Sequence, residues 1–273
     1  MRITLITGAL TVALVPAMAP AQTHATDDVW AGNIGLASVA MPTYLGSNQY
    51  RVRVVPLMSL EYKGRAFLGG AMSGTGAGAG VYLVRNSNLM WTTGISGAPQ
   101  RLERHGDGLA GMGRRSSATF AATDVSYTAG SITAGAGVQV GVSGDEGSTA
   151  SVSLSSKHVY GRRWILGAST GATFANSTNL AYDFGVTPKQ AAARQTLIQS
   201  GDSRLDWKDA GSYDPGRGLK QAQASLSLGY QLREKVTAMA FANGTRLGRE
   251  AADSPLARNR NAFIGGIGMA YGF

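Results

Sequence analysis

The chain has 273 residues, 38 of them glycine and none cysteine; 15 % are charged, and the formal net charge is +9. Abundant glycine and sparse charge argue against a helical bundle, and the lack of cysteine excludes a small disulfide-stapled module. The composition instead suits strands that have one apolar face and a crowded interior.

The N-terminus has the composition of a secretory signal peptide. Arg2 precedes an uncharged apolar stretch from Ile3 to Val15, and small residues suited to cleavage follow, with Ala21 the preferred site. The apolar stretch is shorter than the roughly 20 residues that span a bilayer. We therefore expect residues 1–21 to be removed and residues 22–273 to form one domain that is periplasmic, secreted or a β-barrel.

Strand-like alternation of apolar and polar residues dominates the rest of the chain. It is clear from Tyr50 to Tyr62, where a tyrosine at each end of the apolar face matches two interfacial aromatic girdles. Pro56 lacks a ladder donor and predicts a bulge there. The alternation recurs at 131–140, 150–160, 164–174 and 222–232, mostly with small glycine and serine residues on the polar face. Small interior residues favour a narrow membrane barrel over a soluble β-sandwich.

The final strand carries a more specific pattern. Gly268, Tyr271 and Phe273 resemble the C-terminal signal that the barrel-assembly machinery reads, although Gly266 replaces its usual polar residue. The pattern predicts that these three residues form an assembly signal and that this machinery is a partner. Phe273 is expected to face lipid at the periplasmic rim.

The sequence predicts an all-β fold, an antiparallel transmembrane β-barrel of about 12 strands. Ten strands remain an alternative, because residues 74–80 in the weak third and fourth strands are nearly all glycine and alanine. The predicted strands are residues 32–41, 50–62, 65–72, 78–84, 89–96, 115–127, 131–140, 150–159, 163–174, 219–232, 235–243 and 261–273.

Connection lengths predict the orientation of the barrel. Short turns are expected in the periplasm, and longer loops are expected outside at 42–49, 99–114, 175–218 and 245–260, the usual asymmetry of such barrels. Within the longest loop, Thr187 to Gln199 predicts a helix with Pro188 at its first position.

Four charged residues are predicted to point into the lumen: Arg51, Arg53, Asp124 and Lys157. Glu61 is expected at the periplasmic rim. These charges suit either a selectivity lining or internal salt bridges that fill a narrow barrel, and the second interpretation is favoured. The basic excess of the whole chain could attract anionic lipopolysaccharide, peptidoglycan or acidic ligands, or serve only to solvate loops.

The three histidines give little support for catalysis. His24 lies beside the signal cleavage region, and His158 falls on the lipid side of its strand. His105 and Asp107, with Asp202, Asp206 or Asp209, could imitate an aspartate–histidine surface protease, but a solvated loop is favoured. The histidines lack metal-ligand spacing, and the glycine runs lack a nucleotide fingerprint. We expect no enzyme, no cofactor and, for an exported chain, no nucleic-acid partner.

Four blocks resemble segments of the MipA/OmpV family of outer-membrane proteins, also called MltA-interacting proteins. They are PTYLGS at 42–47 followed by YR and PL at 50–57, GRAFL at 64–68, YDFGVT at 182–187, and AADSPL at 251–256 with the terminal YGF. The motif positions in the loops are Tyr44, Gly46, Ser47, Tyr182, Phe184, Gly185, Asp253, Ser254 and Pro255. Thr43, Leu45 and Arg249 depart from the family pattern at positions where acidic residues are common, which puts an acidic role of these loops in doubt.

The resemblance implies an outer-membrane location, with membrane lipid and lipopolysaccharide as surroundings. One member is described as a scaffold that links a lytic murein transglycosylase to a murein synthase, which implies these enzymes as partners. We therefore expect a non-enzymatic envelope scaffold that meets partners through its periplasmic turns and residues 22–30. A surface adhesin or ligand-binding barrel and a narrow pore are the alternatives.

Overall fold

The structure, a computed structural model, describes residues 29–72 and 76–273. Twelve antiparallel strands close into a barrel in which β1 pairs with β12. The strands are β1 (Trp30–Pro42), β2 (Tyr50–Tyr62), β3 (Ala66–Met72), β4 (Gly76–Arg85), β5 (Leu89–Ala98), β6 (Ala118–Ala129), β7 (Ile132–Gly141), β8 (Ser148–Tyr160), β9 (Trp164–Ala175), β10 (Gly218–Arg233), β11 (Val236–Leu247) and β12 (Asn261–Gly272). The predicted count of twelve is confirmed, because the weak third and fourth strands both form and pair. The predicted signal peptide lies outside the described residues.

An apolar belt surrounds the barrel, as the alternation predicts. On β2, Val52 and Val54 are each 70 % exposed, whereas Arg51 and Arg53, which alternate with them, are partly buried. The same contrast runs along the other strands, and a continuous apolar surface of this kind is typical of a face that meets lipid.

Aromatic side chains border the belt at both ends. Trp30 lies 4.8 Å from Tyr62 between ring centroids, and the Trp164 ring packs on a tyrosine in the same way on β9 and β10. At the other end, exposed aromatic rings include those of Tyr50 and Phe174. This arrangement matches the predicted pair of interfacial girdles.

Closure of the barrel depends on the last strand. The register of β1 and β12 runs from Asn33 opposite Gly272 to Ala40 opposite Gly265. Beyond it, Gly32 and Phe273 exchange backbone hydrogen bonds of 3.1 and 3.0 Å. The Phe273 side chain is exposed on the outer surface, as predicted.

The predicted bulge at Pro56 is wrong. The β1–β2 register passes unbroken through Leu36 opposite Pro56. Lys63 N donates to Val29 O in this ladder, so the odd-numbered residues of β2 turn their amides toward β1 and Pro56 turns its nitrogen the other way. On that side the pairing with β3 covers only Leu60 to Tyr62 within the described residues. The missing donor therefore removes no ladder bond.

The two ends of the barrel differ in construction. One end, here called the short-turn end, carries the brief connections at 63–65, 86–88, 130–131, 161–163 and 234–235. The opposite end, the mouth, carries the long segments and three helices, α1 (Ser177–Phe184), α2 (Pro188–Gln199) and α3 (Arg249–Ala252). The predicted helix is confirmed as α2, with Pro188 first and a capping box between Thr187 and Gln190. No helix among the described residues is long and apolar enough to cross a membrane.

Side chains fill much of the barrel interior. Val39, Met41 and Ile264 form a buried cluster inside the wall, against which Phe241 also packs. A Cβ at Gly266 would lie 2.6 Å from the Phe241 ring, so a glycine there makes room for that ring. Towards the short-turn end, the Phe67 ring packs on a tyrosine at a centroid distance of 5.2 Å.

The apolar belt predicts a depth-dependent cost for charge on its surface. Leu226 lies mid-strand, opposite Ala168 and Ala242, and is 62 % exposed, while Trp207 in a long loop is 64 % exposed. We expect Leu226→Arg to lower the free energy of unfolding by about 2–4 kcal/mol. Trp207→Arg should change it by less than about 0.5 kcal/mol. Urea unfolding in phospholipid vesicles measures both, and equal costs would contradict a lipid-facing belt.

Candidate functional site at the capped mouth

Four long segments fold together at the mouth to form a compact cap. The cap comprises residues 43–49, 99–117, 176–217 and 248–260. One apolar cluster joins Leu180 and Phe184 of α1 to Leu247 and Ala251. A second cluster is built from Met112, Val186, Ala191 and Leu256. Since both clusters draw on several segments, the cap packs as one body.

Asp183 is the electrostatic centre of the cap. Its carboxylate pairs with Arg115 and with Lys220, the latter at 2.6 Å. The backbone carbonyl of the same residue accepts a 2.6 Å hydrogen bond from Arg101. Burial alone would raise the pKa of Asp183, but Lys220 and Arg115 outweigh it and hold that pKa well below its usual range. These bonds fasten α1 to β10 and to both ends of the 99–117 segment.

Arg194 of α2 ties further backbone together. Its side chain is completely buried. The guanidinium donates to the carbonyls of Asp209, Gly108 and Ala110 at 2.5, 3.0 and 3.0 Å. The Asp209 carboxylate in turn pairs with Arg258 at 2.8 Å. One buried cation thus satisfies three carbonyls that water cannot reach.

The first block of family-motif residues lies in this cap. The Tyr44 ring is buried, and a Cβ at Gly108 would lie 1.9 Å from its hydroxyl, so the glycine makes room for the ring. Gly46 has φ +91 and its carbonyl accepts from Asn259 N at 2.9 Å, which joins two cap segments. The Ser47 hydroxyl lies 2.8 Å from the Thr43 hydroxyl.

The remaining motif residues meet across α1 and the 248–260 segment. Ser254 Oγ donates to Phe184 O at 2.6 Å and accepts from Leu256 N, so it shapes the turn. Arg115 stacks over the Tyr182 ring at 4.2 Å. Gly185 caps α1 through a bond from its N–H to Ala181 O.

Two residues of the Asp-Ser-Pro block have different surroundings. Asp253 is exposed and pairs with Arg249 at 3.6 Å. Pro255 is partly buried, with its Cγ near Gly211. The serine therefore makes the backbone-capping contacts in this turn, while the aspartate faces outward.

A cavity of about 150 Å³ lies between the cap and the barrel wall. Its cationic lining is Arg51, Arg101, Arg115 and Lys220, and Asp183 is the carboxylate that borders it. Tyr44 and Tyr182 of the family motifs also line it. Two of the motif blocks, far apart in the sequence, therefore meet at one basic cavity.

The four predicted lumen charges lie at different heights in the barrel. Arg51 borders the cavity, and Arg53 follows it on the same face of β2. Asp124 stands opposite Thr92 on the next strand, and Lys157 lies towards the short-turn end. All four are partly buried, in keeping with the predicted inward orientation. Their role as a selectivity lining or as internal salt bridges stays a prediction.

An internal ion pair does form near the short-turn end. Glu61 pairs with Arg85 at 2.5 Å and accepts a 3.1 Å hydrogen bond from the Tyr82 hydroxyl. Glu61 thus lies where the sequence predicted a rim carboxylate.

The arrangement around His105 does not resemble a protease site. His105 Nδ1 accepts a 3.3 Å bond from Leu102 N. Asp107 accepts from Gln49 at 2.5 Å, and Asp209 is paired with Arg258. Burial lowers the pKa of His105, and Arg51, Arg53 and Arg104 add to this effect. Within residues 29–72 and 76–273, no group of three His, Cys, Asp or Glu side chains is placed to hold a metal ion.

Sequence reasoning missed the charged residues that hold the cap together. Asp183 stands inside the YDFGVT block, and a charge between two aromatic motif residues was the available signal. Arg194 shares a helix face with Ala191, three residues earlier, and carries no other local signal. Their partners come from distant segments, which no local pattern reveals.

The Asp183 ion pairs predict a pH dependence of the cap. Because the folded pKa is depressed, the pairs stabilise the cap above about pH 4, the ordinary range of the carboxyl group, and this stability is lost as the pH falls below it. Asp183→Asn should lower the free energy needed to open α1 at pH 7 by about 3–5 kcal/mol. The stability of the cap in this variant should also change less on acidification than it does in the native protein. Hydrogen exchange of α1 amides measures this, with the exposed Asp214→Asn as control. A wild-type acid response retained in Asp183→Asn would contradict the assignment.

Loss of Arg194 should loosen the cap and leave the barrel intact. Arg194→Met orphans three buried carbonyls, each at a cost of about 1–3 kcal/mol. We expect proteolysis within the cap to become at least tenfold faster, an order-of-magnitude figure that follows from this cost. Circular dichroism should still report the strands. The exposed Arg114→Met is the matched control, and equal proteolysis of both variants would count against this role.

No curated protein sequence matches the chain. Among solved structures, a bacterial polysaccharide outer membrane secretin aligns over 89 % of this chain and 98 % of its own, with 10 % identity and a TM-score of 0.46. The NanC porin aligns over 87 % and 98 %, with 8 % identity and a TM-score of 0.44. An outer membrane channel from Pseudomonas putida F1 aligns over 90 % and 96 %, with 8 % identity and a TM-score of 0.43.

The family comparison covers nearly the whole barrel. A family model described as MltA-interacting protein MipA matches residues 34–273. The match runs from β1 to the C-terminal residue and includes all four cap segments. The chain therefore belongs to the MipA family of MltA-interacting proteins.

Proposed function

We propose that this protein is a non-enzymatic outer-membrane scaffold that binds murein-processing enzymes through its short-turn end. The family description names an interaction with MltA, and a murein transglycosylase works on the periplasmic side of the outer membrane. In bacterial barrels the short turns face the periplasm. The surface available to such a partner is therefore the short-turn end.

The charge of the short-turn end is the observation that carries the proposal. Seven exposed cationic side chains surround it, of which Arg85 is paired with Glu61, and Glu234 is the exposed carboxylate among them in the described turns. The cations are Lys63, Arg65, Arg85, Arg162, Arg163, Arg233 and Lys235. A ring of one sign of charge attracts and orients a partner that presents acidic groups.

The packing of the cap and the barrel interior supports a rigid protein. The cap is fastened by partly buried ion pairs and by the bonds of Arg194, and apolar side chains from β1 and β12 pack inside the wall. A rigid frame with exposed turns holds a partner in a defined position, as a scaffold requires.

Charge reversal at the short-turn end should weaken partner binding. We expect the purified protein to capture a lytic murein transglycosylase and a murein synthase from detergent-solubilised membranes. Arg162→Glu, Arg233→Glu and Lys235→Glu together should weaken that capture by roughly tenfold or more at low salt, because electrostatic attraction is reversed. Binding is measured by surface plasmon resonance over a range of salt concentrations.

A matched control distinguishes local from overall charge. Arg114→Glu, Lys189→Glu and Arg217→Glu change the net charge equally, but these exposed residues lie in the cap. This variant should bind like the native protein. Reproducible failure of the native protein to bind either enzyme, or an equal loss in both variants, would refute the proposal.

A further inference from the structure

The cavity under the cap carries more positive charge than its own carboxylate can balance. Four cationic side chains line it, and Asp183 is already paired with two of them, Arg115 and Lys220. Among the described residues, Arg51 makes no ion pair, and its Nε atom is buried without a hydrogen-bond partner. A cation held partly out of water without a counter-charge is costly. The cavity therefore has the electrostatics of a site that an anion completes.

The positive field acts on nearby titratable groups, in which burial is the larger cause of the pKa shifts. Burial and the neighbouring Arg115 lower the pKa of Arg101 to about 10, which still leaves it charged at neutral pH. The pKa of His105, which also lines the cavity, is lowered by burial and by Arg51 and Arg53. The field therefore extends from the barrel wall into the cap.

The rest of the lining limits the kind of anion that would fit. Leu45, Pro99, Phe120 and Ile264 contribute apolar walls beside the cations. The Tyr44 side chain also lines the same space. The volume of about 150 Å³ is close to that of an engineered cavity in another protein that holds benzene. A small apolar body joined to one anionic group matches these walls.

We propose that this cavity binds a small organic carboxylate. Its carboxylate lies against Arg51 and its apolar body against the wall that contains Phe120. The cavity is at the mouth, opposite the short-turn end, so binding here is separate from the scaffold function and does not depend on it.

Benzoate is a suitable probe, because it combines one carboxylate with a body of about the right size. Isothermal titration of the full protein in detergent micelles should detect benzoate, and benzamide, its neutral isostere, should bind at least about tenfold more weakly. Arg51→Met should weaken benzoate binding by about tenfold or more. Arg53→Met is the matched control, because Arg53 follows on the same face of β2 and lies outside the cavity lining. It should leave benzoate affinity within about twofold.

Thermal unfolding without ligand gives a second readout. Arg51→Met should match or exceed the native melting temperature, because it removes a partly buried charge that has no counter-ion. Adding benzoate should then raise the melting temperature of the native protein and of Arg53→Met, but not of Arg51→Met.

Three results would overturn the proposal. In the first, benzamide binds as tightly as benzoate. In the second, the Arg51→Met variant binds benzoate as tightly as the native protein does. In the third, inorganic phosphate competes for the cavity as well as benzoate does. The third would show that the cavity takes any oxyanion and that its apolar walls play no part. If Arg51→Met does not fold, Arg51→Lys takes its place, because it keeps the charge. This variant should still bind benzoate more tightly than benzamide. Loss of that preference would also contradict the proposal.

Discussion

Every backbone amide in the apolar belt must find a hydrogen-bond partner within the protein, and this requirement shapes the whole structure. Hydrocarbon offers no hydrogen bonds, so a sheet in a bilayer is stable only when it has no free edge. Pairing of β1 with β12 removes that edge, and the mutual bonds of Gly32 and Phe273 extend the closure to the short-turn end. Once the barrel is closed, alternate residues must face either lipid or the interior, and the long connections must gather at the mouth.

The cap follows from the rigid rim that closure provides. Lys220 stands on β10 and Arg115 just before β6, so the ladder sets where these cations meet Asp183. The Asp183 carboxylate, held by these two cations, then positions α1, and Ser254 fastens the 248–260 segment to the end of that helix. The family-motif residues thus serve chiefly to build the cap. Function is carried by the surfaces that this framework leaves available.

The two ends of the barrel offer different chemistry to different partners. The short-turn end presents exposed cations to the surrounding water, where a large partner with acidic groups can approach. The mouth encloses its cations beside apolar walls, where only a small anion fits. Between the two ends, side chains such as Phe241 and Met41 pack inside the wall. Each proposed interaction can therefore be altered without changing the other.

Features that depend on neighbours along the chain could be predicted from the sequence. Alternation with a period of two placed the twelve strands and their faces, and the Thr187 to Gln190 spacing placed the start of α2. The Pro56 bulge was mispredicted because the direction of its missing donor depends on which strand lies beside β2. Only the tertiary structure revealed that Arg194 bonds Gly108, 86 residues away in sequence, and that Arg51 meets Arg101 and Arg115 around one cavity. Such contacts are decided by barrel closure and loop packing, which bring together residues that share no local pattern.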